Sequence, residues 1–416
     1  MASLFNNKAK AGLAGRKNIF PRITAALQKE QSPRNSKPRI WMHCASLGEF
    51  EQGRPLLEAL KQQFPSTSVV LTFFSASGYE AMKDYKGADH IFYLPFDSKN
   101  NAQRMVELLQ PSLVLWVKYE YWYHYLHELK SERIPLLLVS GIFRPSQPFF
   151  KWYGGIWKKM LGCFTHFFVQ NDLSEELLNS VGIHENITVT GDTRFDRVIQ
   201  IAEKFEPVPF IEEFCGPGKV IVAGSTWEDD EAELIHYVRA NPHIKFIIAP
   251  HETDRANLND VKKEFTSAVL YSELEQQYAL GTKHPILKDQ FAVPNLLIVD
   301  NVGMLSRLYR YADITYVGGG FGADGVHNVL EAAVYGKPVI YGPEFEKYTE
   351  AIELVECGAG IPINNALELE KVFDELWKNE TLLNAKGLAA KNYVYAHKGA
   401  SKMIIQAIQE KRLLTN

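Results

Sequence analysis

Short apolar runs alternate with longer stretches in which apolar residues recur at helical spacing. Arg39–Cys44 (RIWMHC), Ser68–Phe74, Leu113–Val117 and Pro135–Ser140 are almost continuously apolar and of strand length. Between them, Phe50–Phe64, Lys99–Gln110 and Tyr121–Arg133 carry apolar residues three and four apart, as helices do. Strands that are apolar throughout are buried on both faces, so the alternation predicts a parallel sheet covered by helices on either side. The pattern pauses at FEPVPFIEEFCGPG, residues 205–218, where Pro and Gly concentrate, and this segment reads as a linker. It then resumes: Lys219–Ala223, Ile244–Ala249, Asn295–Val299, Ile314–Val317 and Pro338–Tyr341 read as strands with helices between them.

The chain has 416 residues, too many for one ordinary domain. The expected organisation is an N-terminal Rossmann-like domain over 1–204, the linker 205–218 and a second Rossmann-like domain over 219–394. A last helix over 395–416 is expected to pack back on the first domain. Two doubly wound α/β domains with a cleft between them suit a nucleotide-sugar, because ligands sit beyond the carboxyl ends of such strands.

Charge changes this picture at one end. Residues 1–39 hold nine Lys and Arg against a single acid, Glu30, while the whole chain is -4. The balance argues against a nucleic-acid binder. The basic arm fits either a solvated tail or contact with an anionic membrane surface, with Phe5, Ile19 and Phe20 as its apolar contacts. A second candidate for such contact is Phe149–Phe164 (FFKWYGGIWKKMLGCF), which mixes large apolar side chains with Lys151, Lys158 and Lys159. Cys44, Cys163, Cys215 and Cys357 form no CxxC pair, and the strand-end loops show neither Asp-x-Asp nor a His/Cys ligand cluster, so no metal and no cofactor are expected. No run of 18 apolar residues would span a bilayer.

Four motifs follow strands. Ser46-Leu47-Gly48-Glu49 has the spacing of a helix capping box. The same residues place Glu49 where a general base would stand, with the helix dipole favouring its ionised form. In VGGGFGADGVHNVLEAA (317–333) the glycines let the backbone approach a ligand closely. A helix beginning near Asn328 would then present N–H groups to a phosphate and Glu331 to a ribose, although Asn328-x-x-Glu331 also fits a cap. Gly224-Ser225-Thr226 suits either phosphate binding or a simple N-cap. In Pro250–Arg255 (PHETDR), His251 or Arg255 is a candidate for the nucleotide phosphate.

With these residues in view, the chain resembles the Kdo (3-deoxy-D-manno-octulosonic acid) transferases of lipopolysaccharide assembly. The most specific stretches are WMHCASLGE at 41–49, GDTRFD at 191–196, AGSTWEDDE at 223–231 and GGGFGADGVHNVLEAAVYGKPVIYGP at 318–343. The resemblance implies a GT-B fold and inverting, metal-independent transfer of Kdo from CMP-Kdo to a lipid A precursor. It implies Glu49 as catalytic base. It implies donor contacts from Ser46, Gly48, Arg194, Gly224, Ser225, Thr226, Pro250, Arg255, Gly303, Gly325, His327, Asn328 and Glu331. Arg194 stands where the family commonly has Lys, and a guanidinium can still pair with the Kdo carboxylate. The family's Arg-His after the proline is here His251-Glu252, so Arg255 carries that role. The family's Gly-Glu-Leu is here Gly303-Met304-Leu305, which leaves the glycine alone. The family also carries an apolar anchor ahead of the segment resembling SLFNNKAK, so a peripheral enzyme on the cytoplasmic face of the inner membrane is expected, its native anchor missing from this chain.

Two other readings remain open on the residues. One is a GT-B transferase or epimerase that uses a UDP-sugar, with two phosphates and no donor carboxylate. The other is a non-catalytic membrane adaptor with the same fold.

Overall fold

The computed structural model describes residues 7–28, 37–279 and 294–414. They divide into two compact units: the chain up to Arg197 together with His397 onward, and Val198–Ala396.

The first unit is built on seven parallel strands: β1 (Arg39–Cys44), β2 (Ser68–Phe73), β3 (His90–Tyr93), β4 (Leu113–Val117), β5 (Leu136–Gly141), β6 (His166–Val169) and β7 (Ile187–Val189). Their order is β3-β2-β1-β4-β5-β6-β7. The central strands are apolar throughout because alternate side chains feed two cores. Trp41, Val70 and Trp116 enter one, and Ile40, Met42, Val69 and Leu71 the other. The helix Ala400–Glu410 belongs to this unit. Ile404 and Ile408 join the core around Leu56, Leu57 and Leu60, and Asp196 accepts the Gly399 and Ser401 N–H groups, both at 2.6 Å, at its start.

The second unit repeats the plan with β8 (Val220–Thr226), β9 (Lys245–Pro250), β10 (Val269–Leu270), β11 (Leu296–Ile298), β12 (Ile314–Val317), β13 (Val339–Tyr341) and β14 (Gly360–Pro362), in the order β10-β11-β9-β8-β12-β13-β14. Residues 205–218 are not a free linker. They hold the helix Ile211–Cys215, bury Val208, Ile211 and Phe214, and donate the Val208 N–H to Tyr311 at 2.8 Å. Pro207 and Pro209 shape a packed connection here, and the apolar residues around them decide its fate.

The basic arm also differs from expectation. It forms the helices Asn7–Gly15 and Ile19–Gln28, and Ile19, Ile23 and Leu27 are core residues. Arg16 is a structural pin. It donates to the carbonyls of Leu94 (2.8 Å), Gly12 (2.9 Å) and Phe74 (2.6 Å), and lies over the rings of Phe74, Tyr93 and Phe96. Phe20 packs under Arg104, and Phe5 lies outside the described residues. Among the described residues, no helix is long and apolar enough to cross a membrane.

Candidate active site

In a doubly wound sheet the strand order reverses at one place, and the loops leaving the carboxyl ends there open a crevice. In the first unit that place is between β1 and β4. The turn after β1 and the helix start that follows it carry Ala45–Glu49, and the loop after β4 carries Lys118, Tyr119 and Glu120.

Ser46 caps the helix Leu47–Gln63, its hydroxyl accepting the Glu49 N–H at 3.3 Å. Glu49 turns back and its carboxylate accepts the Ala45 N–H, so the capping box is shifted by one residue. Glu49 is nonetheless far from an ordinary cap. It is only 9% exposed, and its pKa is pushed up to about 7, first by burial and further by the charge of Glu120. The Ala45 N–H and Lys118 pull the other way without prevailing. The expectation that the helix dipole keeps Glu49 ionised is therefore corrected: loss of hydration outweighs the donors of the first turn. A carboxyl group that titrates near neutrality is well matched to taking a proton from a hydroxyl.

Gly48 is exposed in the same turn. Arg194 lies at the start of the helix Thr193–Glu203, held through Nε and its backbone N–H by Asp192, both at 2.8 Å. Asp192 is buried and also receives Gln52 at 2.9 Å. Glu120, Lys118 and Asp192 were not singled out from the sequence. Nothing in KYEYWYH marks a site, and only the neighbouring of β1 and β4 brings Glu120 within electrostatic reach of Glu49.

In the second unit the order reverses between β8 and β12. The end of β8 and the residue after it hold Ser225–Trp227, and the loop after β12 holds Gly318–Asn328. The glycines are required by close backbone approach. A Cβ on Gly318 would stand 2.4 Å from the Ser225 carbonyl oxygen, and one on Gly320 would stand 2.6 Å from the Gly342 nitrogen. Gly325 has φ +85°, and a Cβ there would meet the Glu344 carbonyl oxygen at 2.7 Å. Gly224 serves packing, since a Cβ would meet the Tyr309 hydroxyl.

Several expected ligand groups are committed elsewhere. Thr226 does not cap a helix: it ends β8, is buried, and its hydroxyl donates to Glu231 at 2.8 Å. Ser225 is half-buried with φ +55°, and Pro250 is buried at the end of β9. Arg255 is exposed at the start of the helix Arg255–Glu264, which Asp254 caps. Gly303 has φ +102° in an exposed turn ahead of the helix Leu305–Leu308. The helix expected near Asn328 begins only at Leu330 and is four residues long. Asn328 does cap it, but its side-chain oxygen accepts the Leu330 N–H at 3.3 Å rather than that of Glu331, and its amide donates to Glu331 at 3.0 Å.

Three rings gather at this edge. The Trp227 indole N–H donates to His327 Nε2 at 2.9 Å, the two rings being within 16° of parallel. His251 stacks on both, with centroids 4.5 Å from Trp227 and 4.4 Å from His327. His327 is held down to about 4 by burial, with the His251 charge adding to it, so it is the neutral acceptor this bond needs. Trp227 lies within AGSTWEDDE, where its spacing marks no role for it, and the sequence suggests only the phosphate for His251.

Residues 17–197 match the family described as 3-deoxy-D-manno-octulosonic-acid transferase (kdotransferase). The 3-deoxy-D-manno-octulosonic acid transferase of Haemophilus influenzae is 24% identical over 384 residues, 89% of this chain and 86% of that one. That of Aquifex aeolicus is 27% identical over 369 residues, 86% and 90% of the two chains. The chain is a relative of the Kdo transferases. A bifunctional glycosyltransferase/methyltransferase of Fusobacterium nucleatum is 28% identical over 372 residues, and the match spans 85% of this chain but only 55% of that protein.

Solved structures add the fold. The UDP-GlcNAc 2-epimerase of Neisseria meningitidis aligns with TM-score 0.62 at 16% identity, covering 89% of this Kdo-transferase relative and 100% of the epimerase. MurG of Acinetobacter baumannii aligns with TM-score 0.52 at 12% identity, covering 90% and 99%. The architecture is that of GT-B glycosyltransferases and epimerases, two parallel-sheet Rossmann-like domains, and the relatedness places the chain among the glycosyltransferases.

Proposed function

We propose that this glycosyltransferase moves Kdo from CMP-Kdo to a lipid A precursor with inversion at the anomeric carbon, Glu49 acting as general base. The observation that carries the reading is Glu49 itself: a buried carboxyl group at the sheet's switch point, titrating near 7, in a chain related to Kdo transferases. An acceptor hydroxyl gives its proton to Glu49 as its oxygen bonds to the anomeric carbon. The bond from that carbon to the CMP phosphate breaks, and CMP leaves with the electron pair.

The second unit supplies the donor contacts. Gly325 and the flanking glycines fold the loop that faces the nucleotide, His327 and Asn328 frame the site, and Glu331 accepts ribose hydroxyls. Arg255 and Ser225 stand near the phosphate, with Gly224, Thr226, Pro250 and Gly303 shaping their loops. In the first unit Ser46 and Gly48 set the turn that carries Glu49, and Arg194, steadied by Asp192, pairs with the Kdo carboxylate.

The acceptor is a phosphorylated lipid, so the reaction belongs at an anionic membrane surface, on the cytoplasmic face of the inner membrane. Trp152 is 96% exposed, and Tyr153 and Ile156 stand out beside Lys158 and Lys159, which suits that surface.

The test is incubation with CMP-Kdo and a lipid A precursor, with and without EDTA, and mass spectrometry of the lipid. The expected product is the precursor plus Kdo in both samples. Turnover of a UDP-sugar in its place, or a strict need for Mg²⁺, contradicts the proposal.

A further inference from the structure

The switch point of the first unit contains a histidine that the proposed chemistry does not use. His43, on β1, is 1% exposed, and its ring lies 4.4 Å from that of Trp116. Its Nδ1 is 3.0 Å from the Thr72 hydroxyl on β2, and its Nε2 is 3.4 Å from Glu120 Oε2. The same Glu120 oxygen accepts the Trp122 indole N–H at 2.9 Å, and the Glu120 backbone carbonyl accepts that of Trp116 at 2.6 Å. Thr72 Oγ1 in turn accepts the Trp41 indole N–H at 2.8 Å and lies 3.4 Å from the Met42 carbonyl oxygen.

We propose that His43 is a positioning residue of the transfer reaction, acting through Glu120: it holds this carboxyl group within electrostatic reach of Glu49 by donating its Nε2–H to it. The inference rests on the reading of Glu49 as base.

The hydrogen-bond inventory leads to it. Trp41 can only donate to Thr72, so the threonine hydroxyl has one proton to give and one lone pair to offer. That proton goes to Nδ1 of His43, which leaves Nε2–H to donate to Glu120 and the imidazole neutral.

A charged imidazole is disfavoured there, because burial lowers the His43 pKa against the pull of Glu120. The charged groups facing this pair are Arg16 ahead of the helix Ile19–Gln28, Glu49 on the helix Leu47–Gln63, and Lys118 with Glu120 after β4. The arrangement matters for Glu49 because an anionic neighbour strengthens a base, and Glu120 raises the Glu49 pKa.

The test labels the histidines of the full chain with nitrogen-15 and follows the His43 ring between about pH 5.5 and 9. The expected ring is neutral throughout and carries its proton on Nε2. In Glu120→Leu, which removes the acceptor, that tautomer is expected to lose its dominance. In parallel, His43→Phe is expected to lower kcat on the order of tenfold and displace the acid limb of the pH–rate profile, with donor KM near wild type. His43→Gln, which keeps a donor toward Glu120, is expected to recover part of the rate. A charged imidazole in this range, a dominant Nδ1–H tautomer in the native chain, a tautomer indifferent to Glu120→Leu, or a wild-type rate profile in a folded His43→Phe overturns the proposal. The nitrogen readout does not depend on Glu49, so failure of the base assignment and failure of the His43–Glu120 coupling give different results.

Discussion

Asn328 donates its side-chain amide to Glu331 at 3.0 Å while its side-chain oxygen accepts the Leu330 N–H at 3.3 Å. The asparagine thus ties the last residues of the glycine-rich loop to the carboxylate one turn on. Such a tether fixes Glu331 in one orientation before any ligand arrives, which lowers the entropy lost on binding.

Glu331→Ala is expected to raise the donor KM with little change in that of the acceptor. A hydrogen bond to a charged group is worth about 1.5–3 kcal/mol, so the rise should be on the order of ten- to a hundredfold. Steady-state kinetics with each substrate varied in turn checks it. An unchanged donor KM assigns Glu331 to the loop's structure alone.

The Glu49 pKa of about 7 makes two pH predictions. Its folded value lies above the value of an exposed glutamate, so the proton is bound more tightly in the folded state. The associated stability is fully present below about pH 4.5 and is lost as pH rises through 7. Glu49→Gln should therefore be more stable than the native chain at pH 8, by about 1–3 kcal/mol, with the gap closing toward pH 5. Denaturant unfolding at the two values measures this. Activity moves the opposite way: kcat/KM for transfer should rise with pH and level off above about 7, as the base form fills.

Trp152 and Tyr153, with ring centroids 5.6 Å apart, project beside Ile156, Lys158 and Lys159. Phe149, Met160 and Leu161 of the same segment are buried and hold it to the core. Each lysine near an anionic surface is worth about 1 kcal/mol, and salt screens it. Flotation with liposomes should show binding that increases with anionic lipid and weakens as salt rises. Reversing Lys158 and Lys159 to Glu should reduce turnover on the lipid acceptor more than affinity for CMP-Kdo. Equal binding to neutral and anionic vesicles, unaffected by salt, contradicts the electrostatic part.

Much of this was legible because buried parallel strands are written as plain apolar runs: RIWMHC is β1 residue for residue, and LVLWV is β4. The edge strands His90–Tyr93 and Ile187–Val189 were not, being short and only partly buried. Glu49 was visible through its capping-box spacing, whereas its raised pKa depends on burial that spacing does not encode. Glu120 lies about seventy residues further on, and only the insertion of β4 beside β1 makes the two a pair. The arm at the N-terminus misled for a related reason: charge count marks Arg16 as surface, but three carbonyls and three aromatic rings receive it.

The most direct test of the account is the transfer rate of Glu49→Gln, measured alongside its affinity for CMP. Glutamine keeps the shape and can still accept the Ala45 N–H, but it cannot take a proton from the acceptor. The account predicts a loss of a hundredfold or more in kcat, on the order expected for removing a general base, with CMP binding essentially unchanged. Near-normal turnover by Glu49→Gln would contradict it and leave Glu49 as a helix cap.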